Sequence, residues 1–288
     1  MSFLKLIRPK HWVKNLFVVV PIVFAGKLLS TTFVLSSIIA FISFCLLSSG
    51  IYILNDIKDA PFDRLHPKKK TRPIAAGSVK VSMAFFVAFV LLISAFFLAS
   101  LLNWKVVLCL VLYVLLNFFY TFKGKNVILI DVFCISAGFA LRVIAGSYAI
   151  SVAPSGWLVT STFFLALFLG FGKRRGEIVT SQEDGVNHRL SLRFYDVNLL
   201  NNVMVSTGTA AVVFYALYTL DSRTIEQFKT DKLYYSIPFV VYGVFRYIFL
   251  LLKNGDGEPT DVVMKDRGMV LAVFLWFITV VLIIYAGG

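Results

Sequence analysis

The sequence predicts an all-α, multi-pass membrane protein with nine transmembrane helices and a cytoplasmic N-terminus. Hydrophobic residues make up 59% and aromatic residues 16% of the 288 residues, whereas charged residues make up only 15%. This composition lies outside the usual range of soluble domains. Apolar runs of bilayer-crossing length recur along the chain and leave little of it for a soluble domain. Residues 1–288 are therefore expected to form a single integral-membrane domain.

Nine apolar runs are the candidate membrane-spanning helices. They lie at roughly 14–33, 33–54, 82–103, 105–122, 127–151, 155–172, 199–220, 233–252 and 268–286. The first run is interrupted by Lys27 and shows no small-residue cleavage site, so it predicts a retained helix rather than a signal peptide. The three cysteines stand singly inside apolar runs and are expected to be small core residues: Cys45, Cys109 and Cys134.

The distribution of Lys and Arg predicts the orientation of the chain. If all nine runs cross the membrane, one side carries 21 of the 28 basic residues and the other side 5, with Arg142 and Arg246 inside runs. The excess of basic residues in cytoplasmic loops then places the N-terminus in the cytoplasm and the C-terminus outside. Loops beside anionic headgroups account for most of the net charge of +13. No nucleic-acid partner is expected.

An acidic motif follows the second apolar run. It has the pattern N-D-x-x-D-x-x-x-D and consists of Asn55, Asp56, Asp59 and Asp63. On a helix these aspartates lie within about 60° of one another and form one acidic edge. Since Mg²⁺ favours carboxylates together with phosphate oxygens, the edge is suited to holding a diphosphate through metal ions. Pro61 is expected to break or kink the helix, which would separate Asp63 from the other two aspartates. The alternative is a solvated acidic turn that the following basic run neutralises.

The basic run after the acidic motif has two interpretations. Loop charge at a cytoplasmic membrane surface explains Lys68, Lys69 and Lys70. Arg72 is the exception, because it lies in the segment "TRPIAAG", where Pro73 and Gly77 are expected to fix a loop that folds back over the membrane mouth.

A second polar cluster lies in and before the fifth apolar run. Lys123 and Lys125 fall in a short loop, and Asp131 and Arg142 fall inside the run. Ionisable groups within a span usually face a polar cavity or each other. Asp131 and Arg142 are eleven residues apart, about three helical turns, and so lie on nearly the same face. They predict either a structural pairing or a second set of metal or phosphate contacts.

The segment "LGFGKRRGEIV" adds a third group of charges at the end of the sixth run. It lacks the spacing and the Ser or Thr of a P-loop, which excludes a nucleoside triphosphatase. Lys173, Arg174 and Arg175 suit a phosphate monoester, because guanidinium groups bind phosphate bidentately, or else mark topology. No Ser-His-Asp arrangement or G-x-S-x-G motif is present, and no metal-ligand spacing involves the histidines His11, His66 and His188.

Nine helices with N-D-x-x-D-x-x-x-D after the second resemble the UbiA superfamily of intramembrane prenyltransferases. Within it, the likeness is closest to the subgroup of decaprenyl-phosphate phosphoribosyltransferases. The narrower likeness is carried by "RPKHWVKN" at 8–15, "LNDIKDAPFDRLHPKKKTRPIAAG" at 54–77, "IDVFCISAGFALRVIAG" at 130–146, "FGKRRGE" at 171–177 and "YALYTLD" at 215–221. It covers most of the chain and implies a UbiA-like helical bundle.

The resemblance implies a role for each motif. Asn55, Asp56, Asp59 and Asp63 would hold Mg²⁺ and the diphosphate of phosphoribosyl pyrophosphate. The residues implied to complete the donor pocket are Arg72, Lys123, Asp131 and Arg142. The residues implied to contact the donor 5-phosphate or the lipid phosphate are Lys14, Lys173 and Arg174. Aromatic prenyltransferases usually have a second D-x-x-x-D where this chain has only Asp131 with Lys123 and Lys125 nearby, which fits two phosphorylated substrates better.

The expected function is Mg²⁺-dependent transfer of 5-phosphoribose from phosphoribosyl pyrophosphate to a polyprenyl phosphate. Such a lipid product would serve cell wall biogenesis, and the enzyme would lie in the plasma membrane with its active site facing the cytoplasm. Two alternatives stay open: an aromatic prenyltransferase with an isoprenyl diphosphate donor, and a transporter that binds a lipid phosphate without reaction. The sequence also leaves open whether the chain forms a homo-oligomer.

Overall fold

The computed structural model describes residues 2–65, 69–184, 192, 194–254 and 259–286, and every regular element in them is helical. The α-helices are α1 (Ser2–Ile7), α2 (Val20–Phe24), α3 (Thr31–Asp63), α4 (Val81–Ser100), α5 (Trp104–Phe122), α6 (Ile130–Ala149), α7 (Gly156–Asp184), α8 (Val197–Leu220), α9 (Ser222–Phe228), α10 (Ile237–Asn254), α11 (Pro259–Lys265) and α12 (Arg267–Ala286). Short 3₁₀ helices cover Pro9–Val18, Lys69–Thr71, Gly124–Asn126 and Lys232–Ser236.

In the described part of the chain, eight helical segments are long and apolar enough to cross a membrane. They are Thr31–Asp63, Val81–Ser100, Trp104–Phe122, Ile130–Ala149, Gly156–Val179, Val197–Leu220, Lys232–Lys253 and Arg267–Tyr285. Each corresponds to one of the predicted runs from 33–54 onward. The prediction of an all-α, multi-pass membrane protein is therefore confirmed.

The prediction of one spanning helix at 14–33 is wrong. This part of the chain, which the structure describes in full, is divided into the 3₁₀ helix Pro9–Val18 and the five-residue helix α2. Pro21 has no N–H with which to continue a helix from the preceding turn, so α2 starts afresh there. Gly26 then adopts a left-handed backbone with φ of 66°, which ends α2.

The divided N-terminal segment still runs antiparallel alongside α3. Trp12 donates to the Ser49 hydroxyl over 3.0 Å in the C-terminal half of that helix. At the other end of the segment, the Lys27 ammonium lies 3.9 Å from the ring centroid of Phe33, close to the start of α3. The first 30 residues thus pass from one end of α3 to the other, as a spanning element would.

The first of two compact units comprises Met1–Thr121 and Leu141–Pro154. Its core buries apolar side chains of the N-terminal segment and of helices α3–α6, among them Val18, Phe44, Leu110 and Ala145. A β-carbon added at Gly146 would lie only 2.0 Å from the carbonyl oxygen of Val18. Glycine at this position therefore allows the C-terminal part of α6 to approach the N-terminal segment closely.

Helix α3 is long enough to carry the acidic motif out of the bilayer core. Its 33 residues correspond to about 50 Å at 1.5 Å per residue, whereas the hydrocarbon core is about 30 Å thick. The helix continues through Pro61 to Asp63. Asp63 therefore remains on the same helix as Asp56, and of the expected break or kink at Pro61 the break does not occur.

The second unit comprises Phe122–Ala140 and Ser155–Gly288. Helices α7 and α8 pack against each other over most of their length, and the core includes Phe168, Leu200 and Tyr247. A β-carbon at Gly170 would lie 2.5 Å from Cγ1 of Val132, so α7 and the first part of α6 are also in close contact. The prediction of a single domain stays a prediction.

Candidate active site

Two carboxylates of the acidic motif form a buried edge that is paired with arginine side chains in the first unit. Asp56 and Asp63 lie seven residues apart on α3, so their side chains share one face, and both are buried. Nη1 of Arg72 lies 3.1 Å from Oδ1 of Asp56 and 2.6 Å from Oδ2 of Asp63. The two carboxylates therefore converge on one guanidinium nitrogen, and the metal site that their spacing predicts stays a prediction.

A folded-back loop brings Arg72 to the carboxylates, as the sequence predicts. The amide of Ala76 donates to the carbonyl of Arg72 over 2.8 Å, and the amide of Val79 donates to the carbonyl of Pro73 over 3.2 Å. Gly77 adopts a positive φ of 72°, which closes the turn. Ile74 and Val79 are buried in the apolar cluster beside α3 and anchor the loop.

Arg8 is a site residue that the sequence does not predict. Its Nη2 lies 2.5 Å from Oδ1 and 2.6 Å from Oδ2 of Asp56, and its guanidinium carbon lies 5.7 Å from the ring centroid of Tyr52. The backbone of Arg8 is left-handed, with φ of 52° and ψ of 59°. In the sequence, Arg8 is one of several N-terminal basic residues and lies in the segment "RPKHWVKN"; only this segment could have drawn attention to it.

The other members of the acidic motif have their own surroundings. Asn55 accepts a hydrogen bond through Oδ1 from the Thr121 hydroxyl over 2.9 Å, which orients the amide. Lys58 donates to the Thr121 carbonyl over 3.0 Å. Asp59 is half-buried on α3. The motif thus offers oxygen atoms from one amide and three carboxylates along two turns of one helix.

As placed, the edge could take a metal ion only after a change of partners. Within the described residues, no three acidic, histidine or cysteine side chains converge on a metal position. However, the chemistry of the donor set fits Mg²⁺, which prefers carboxylate and carbonyl oxygens. Two guanidinium nitrogens stand where cations would contact Asp56 and Asp63. The residues therefore fit a metal ion that replaces a guanidinium group.

Arg142 belongs to a separate polar network in the first unit. Its Nε donates to Oδ1 of Asn15 over 2.8 Å, and its Nη2 donates to the Tyr113 hydroxyl over 2.7 Å. Asn15 in turn donates to Ser48 over 3.2 Å, which ties the N-terminal segment to α3. The network holds the N-terminal segment, α3, α5 and α6 in register.

A buried ion pair forms the centre of a charged cluster in the second unit. Nε of Arg174 lies 3.0 Å from Oδ2 of Asp131, and both side chains are almost fully buried. Arg174 also pairs with Glu177, one turn later on α7. The hydroxyl of Tyr195 donates to Oδ1 of Asp131 over 2.9 Å and accepts from the amide of Leu129 over 2.8 Å.

Tyr195 is the second residue that sequence analysis misses. Burial raises its pKa well above the usual value, and the adjacent Asp131 carboxylate raises it further because a phenolate would be repelled. The hydroxyl therefore keeps its proton and remains a donor to Asp131. Nothing in the sequence connects Tyr195 with Asp131, which is 64 residues away.

The remaining predicted residues lie at different depths. Lys14 and Lys173 are half-buried, whereas Lys123 is exposed. Arg175 donates to Asn201 and to the Leu251 carbonyl, which are structural contacts. His11, to which no role was assigned, packs against Tyr52 with ring centroids 5.3 Å apart. Three residues named above lie outside the described part of the chain: His66, Lys68 and His188.

Known proteins resemble the chain at three levels. The model of the UbiA prenyltransferase family matches residues 17–176. The chain is 34% identical over 291 residues to a decaprenyl-phosphate phosphoribosyltransferase of Corynebacterium glutamicum, covering 99% of this chain and 87% of the relative. It is 31% identical over 295 residues to a decaprenyl-phosphate phosphoribosyltransferase of Mycolicibacterium smegmatis, covering 99% of this chain and 92% of the relative.

A solved structure shares the fold. A UbiA homolog from Archaeoglobus fulgidus, bound to GPP and Mg²⁺, has a TM-score of 0.75 and 17% sequence identity, covering 98% of this chain and 99% of that one. The resemblance that the motifs predict is thus confirmed by a family match over more than half of the chain and by full-length relatives. The chain belongs to the UbiA prenyltransferase family.

Proposed function

We propose that this chain transfers 5-phosphoribose from phosphoribosyl pyrophosphate to the phosphate of a long polyprenyl phosphate. The observation that carries the proposal is the 34% identity over 99% of the chain with a decaprenyl-phosphate phosphoribosyltransferase. It is supported by the cation-bound carboxylate edge on α3, which suits a diphosphate-bearing donor. In this subgroup both the donor and the acceptor carry phosphate, which agrees with the basic residues around the edge.

The proposed reaction exchanges one bond at the anomeric carbon of ribose. A phosphate oxygen of the lipid forms a bond to C1, and the bond from C1 to the diphosphate oxygen breaks, so that inorganic pyrophosphate leaves with the bonding electrons. The lipid phosphate is already anionic at neutral pH. No general base is therefore needed to activate it.

The acidic motif is proposed to hold the donor diphosphate. Asn55, Asp56, Asp59 and Asp63 would be the ligands of Mg²⁺, which, when bound, stabilises the charge that develops on the leaving diphosphate. The side chains of Asp56 and Asp63 are preoriented on one helix face, so little rotamer freedom would be lost on binding. Arg72, which already lies at these carboxylates, is positioned to contact diphosphate oxygens.

Some of the other proposed site residues are accessible to substrate, and the rest are buried and orient the helices. Lys14 and Lys173 are partly accessible and are proposed to contact the donor 5-phosphate or the lipid phosphate. Lys123 is exposed and is proposed to complete the donor pocket. Arg142, Asp131 and Arg174 are buried and make the contacts described above. We propose that these three contribute to substrate binding chiefly by orienting the helices that carry the accessible residues, together with long-range charge.

The membrane setting is proposed to serve the lipid acceptor. Large apolar side chains are exposed along the spanning helices, such as Phe86 and Phe89 on α4 and Leu271 and Phe274 on α12. Such surfaces suit contact with acyl and isoprenoid chains. We further propose the plasma membrane with a cytoplasmic active site, because the acidic motif lies on the side with the excess of Lys and Arg.

A parallel assay of two donors tests this function. Purified protein with Mg²⁺ is incubated with a polyprenyl phosphate and labelled phosphoribosyl pyrophosphate, and in a second sample with an aromatic acceptor and an isoprenyl diphosphate. We expect a phosphoribosylated lipid in the organic phase of the first sample only, identified by mass spectrometry. A prenylated aromatic product, with no product in the first sample, would replace the proposal with aromatic prenyl transfer. The absence of product from both would favour binding or transport.

A further inference from the structure

Arg8, whose side chain contacts Asp56, has an uncommon backbone conformation. Its left-handed conformation, φ of 52°, is uncommon outside glycine. The next residue is Pro9, and a proline restricts the residue before it to extended conformations. Strain of this kind persists only where surrounding contacts hold it. Here the contacts are those of the guanidinium with Asp56 and Tyr52.

The contact of Arg8 with Asp56 has the geometry of a chelated cation. In the usual forked pairing, two guanidinium nitrogens face the two carboxylate oxygens. Instead, the single atom Nη2 of Arg8 lies 2.5 and 2.6 Å from the two oxygens of Asp56. Of the described contacts of Arg8, all hydrogen bonds use Nη2. The Nε and Nη1 groups of Arg8 are therefore available as donors to a further anion.

This geometry makes Arg8 and a metal ion compete for the carboxylate of Asp56. A metal ion cannot take both oxygens of Asp56 while Nη2 of Arg8 occupies them. The side chain of Asp56 is only 6% exposed, whereas that of Arg8 is 21% exposed. Without Arg8, buried Asp56 would keep only the longer contact of 3.1 Å from Arg72 to one of its oxygens, which is costly because buried charge needs a partner. Arg8, being partly hydrated, can move away when another cation arrives and when an anion is present to receive it.

We propose that Arg8 is a placeholder cation, which neutralises Asp56 when the site is empty and moves to phosphate oxygens when a metal-bound diphosphate binds. The inference rests on the proposed function only in taking a metal-bound diphosphate as the ligand. Arg8 then opposes the binding of metal alone and favours the binding of metal with diphosphate. Part of the coupling between metal and donor resides in this residue.

Replacing Arg8 should change the affinity for metal and the affinity for diphosphate in opposite directions. Replacing Arg8 with Gln removes the competing cation, so a divalent metal alone should bind more tightly. The same change removes a donor to phosphate, so diphosphate should bind the metal-loaded protein more weakly. A charge-assisted hydrogen bond corresponds to a change of about tenfold in affinity in each case. A merely structural role for Arg8 would weaken both.

The experiment uses Mn²⁺ as the metal probe and inorganic pyrophosphate as the diphosphate probe, with full-length protein in detergent. Free Mn²⁺ is measured by electron paramagnetic resonance, first without and then with pyrophosphate. The variants are Arg8→Gln, Arg8→Lys and the control Lys10→Gln. Lys10 is exposed and its neutralisation removes the same charge from the same segment, so the control corrects for long-range electrostatics.

We expect Arg8→Gln to bind Mn²⁺ alone about tenfold more tightly than wild type and to bind pyrophosphate with Mn²⁺ about tenfold more weakly. Arg8→Lys keeps the charge but not the planar donor fork, so each affinity should change in the same direction as in Arg8→Gln, by about threefold. Mn²⁺ alone should bind more tightly, and pyrophosphate with Mn²⁺ more weakly. This variant carries the test if Arg8→Gln does not fold. Lys10→Gln should stay near wild type in both.

The inference is overturned if either affinity of the Arg8 variants fails to change beyond the Lys10→Gln control, or if both affinities change in the same direction. Neither probe is a substrate, so the result does not depend on the transfer reaction. If the opposite shifts occur in a protein that transfers no phosphoribose, the proposed function is wrong and the assignment of Arg8 stands.

Discussion

Each compact unit contains a cluster of carboxylates and guanidinium groups, and the two clusters differ in how far their arginines reach solvent. In the first unit, the side chains of Arg8 and Arg72 are 21% and 28% exposed against carboxylates that are 6% exposed. In the second unit, Arg174 is 1% exposed and Asp131 is fully buried. Both clusters contain carboxylates and guanidinium groups. Only the arginines of the first cluster are hydrated enough to leave their acidic partners for water.

This difference in exposure indicates that one cluster fixes helix positions and that the other can exchange its ionic partners. A buried ion pair gains little net stability, yet the loss of one partner leaves a charge without compensation inside the protein. Asp131 and Arg174 therefore fix the positions of α6 and α7 in the second unit. Asp56 and Asp63 are paired with partly exposed arginines, which is what the proposed exchange of partners at this edge requires. The following predictions are ordered from the largest expected effect to the smallest.

Asp56→Asn should reduce the rate of phosphoribosyl transfer by at least about a thousandfold, equivalent to about 4 kcal/mol of activation free energy. The amide removes the negative charge that a metal ion needs, while Arg8 and Arg72 remain partly hydrated, so the fold should survive. Product formation at saturating Mg²⁺ and the thermal unfolding temperature are the two measurements. Retained turnover would contradict the assignment of the metal-binding edge.

Asp131→Asn should have its main effect on stability. The variant leaves Arg174 buried with Glu177 as its described acidic partner, and loss of one member of a buried pair costs about 3–5 kcal/mol. The unfolding temperature in detergent should fall well below that of Asp56→Asn. Replacing Arg174 with Met in the Asp131→Asn background should restore part of the loss. Equal stability of Asp131→Asn and Asp56→Asn would remove the distinction between the two clusters.

Two close helix contacts provide a matched comparison of packing in the two units. Gly146→Ala would set a methyl group against the backbone oxygen of Val18, which cannot move aside, and should cost about 3 kcal/mol of unfolding free energy. Gly170→Ala would meet a side-chain methyl of Val132, which can shift, and should cost about 1 kcal/mol.

The control for both glycine variants is Gly156→Ala at the start of α7, where an added β-carbon meets nothing within 4 Å. Its unfolding temperature should equal that of wild type or exceed it slightly. A loss at Gly156→Ala comparable to that at Gly146→Ala would show that a general effect of alanine, rather than the contact with Val18, causes the destabilisation.

Tyr195→Phe should cost about 1–2 kcal/mol near neutral pH, because Asp131 and the Leu129 amide each lose one hydrogen bond. Its pH dependence is more specific. The pKa of Tyr195 is raised in the folded state above the ordinary 10.0, so the stability it provides is present below that pH and is lost as pH rises further.

Unfolding measured at about pH 8 and about pH 11 checks this prediction, since free tyrosine titrates between the two. The wild type should lose more stability than Tyr195→Phe over this interval, because the variant lacks the titrating group. An identical loss in both proteins would contradict the raised pKa of Tyr195.

Much of the first cluster could be predicted from the sequence because its members are local. The spacing of Asp56, Asp59 and Asp63 follows the helical repeat, and the turn residues Pro73 and Gly77 indicate how Arg72 returns to them. The position of Asp131 within an apolar run likewise predicts that it faces a polar cavity or another charged group. These features depend on contacts within about 20 residues or on hydropathy alone.

The features that the sequence did not predict depend on distant contacts or on backbone geometry. Arg8 and Asp56 are 48 residues apart, and the contact requires a left-handed residue before a proline, which local preferences argue against. The hydropathy of residues 14–33 predicted one helix, but Pro21 and Gly26 divide it. Apolar composition reports on the environment of a segment, whereas proline and glycine decide whether one helix can pass through it.

The measurement that tests the central claim most directly follows pyrophosphate release and lipid-bound ribose in one sample of wild-type protein. The sample contains phosphoribosyl pyrophosphate, a polyprenyl phosphate and Mg²⁺, and a chelator is added midway. We predict that both products accumulate in equal amounts and that both stop when the chelator is added. Pyrophosphate without phosphoribosylated lipid, or lipid product that continues to form after chelation, would contradict metal-dependent transfer at the Asp56 edge.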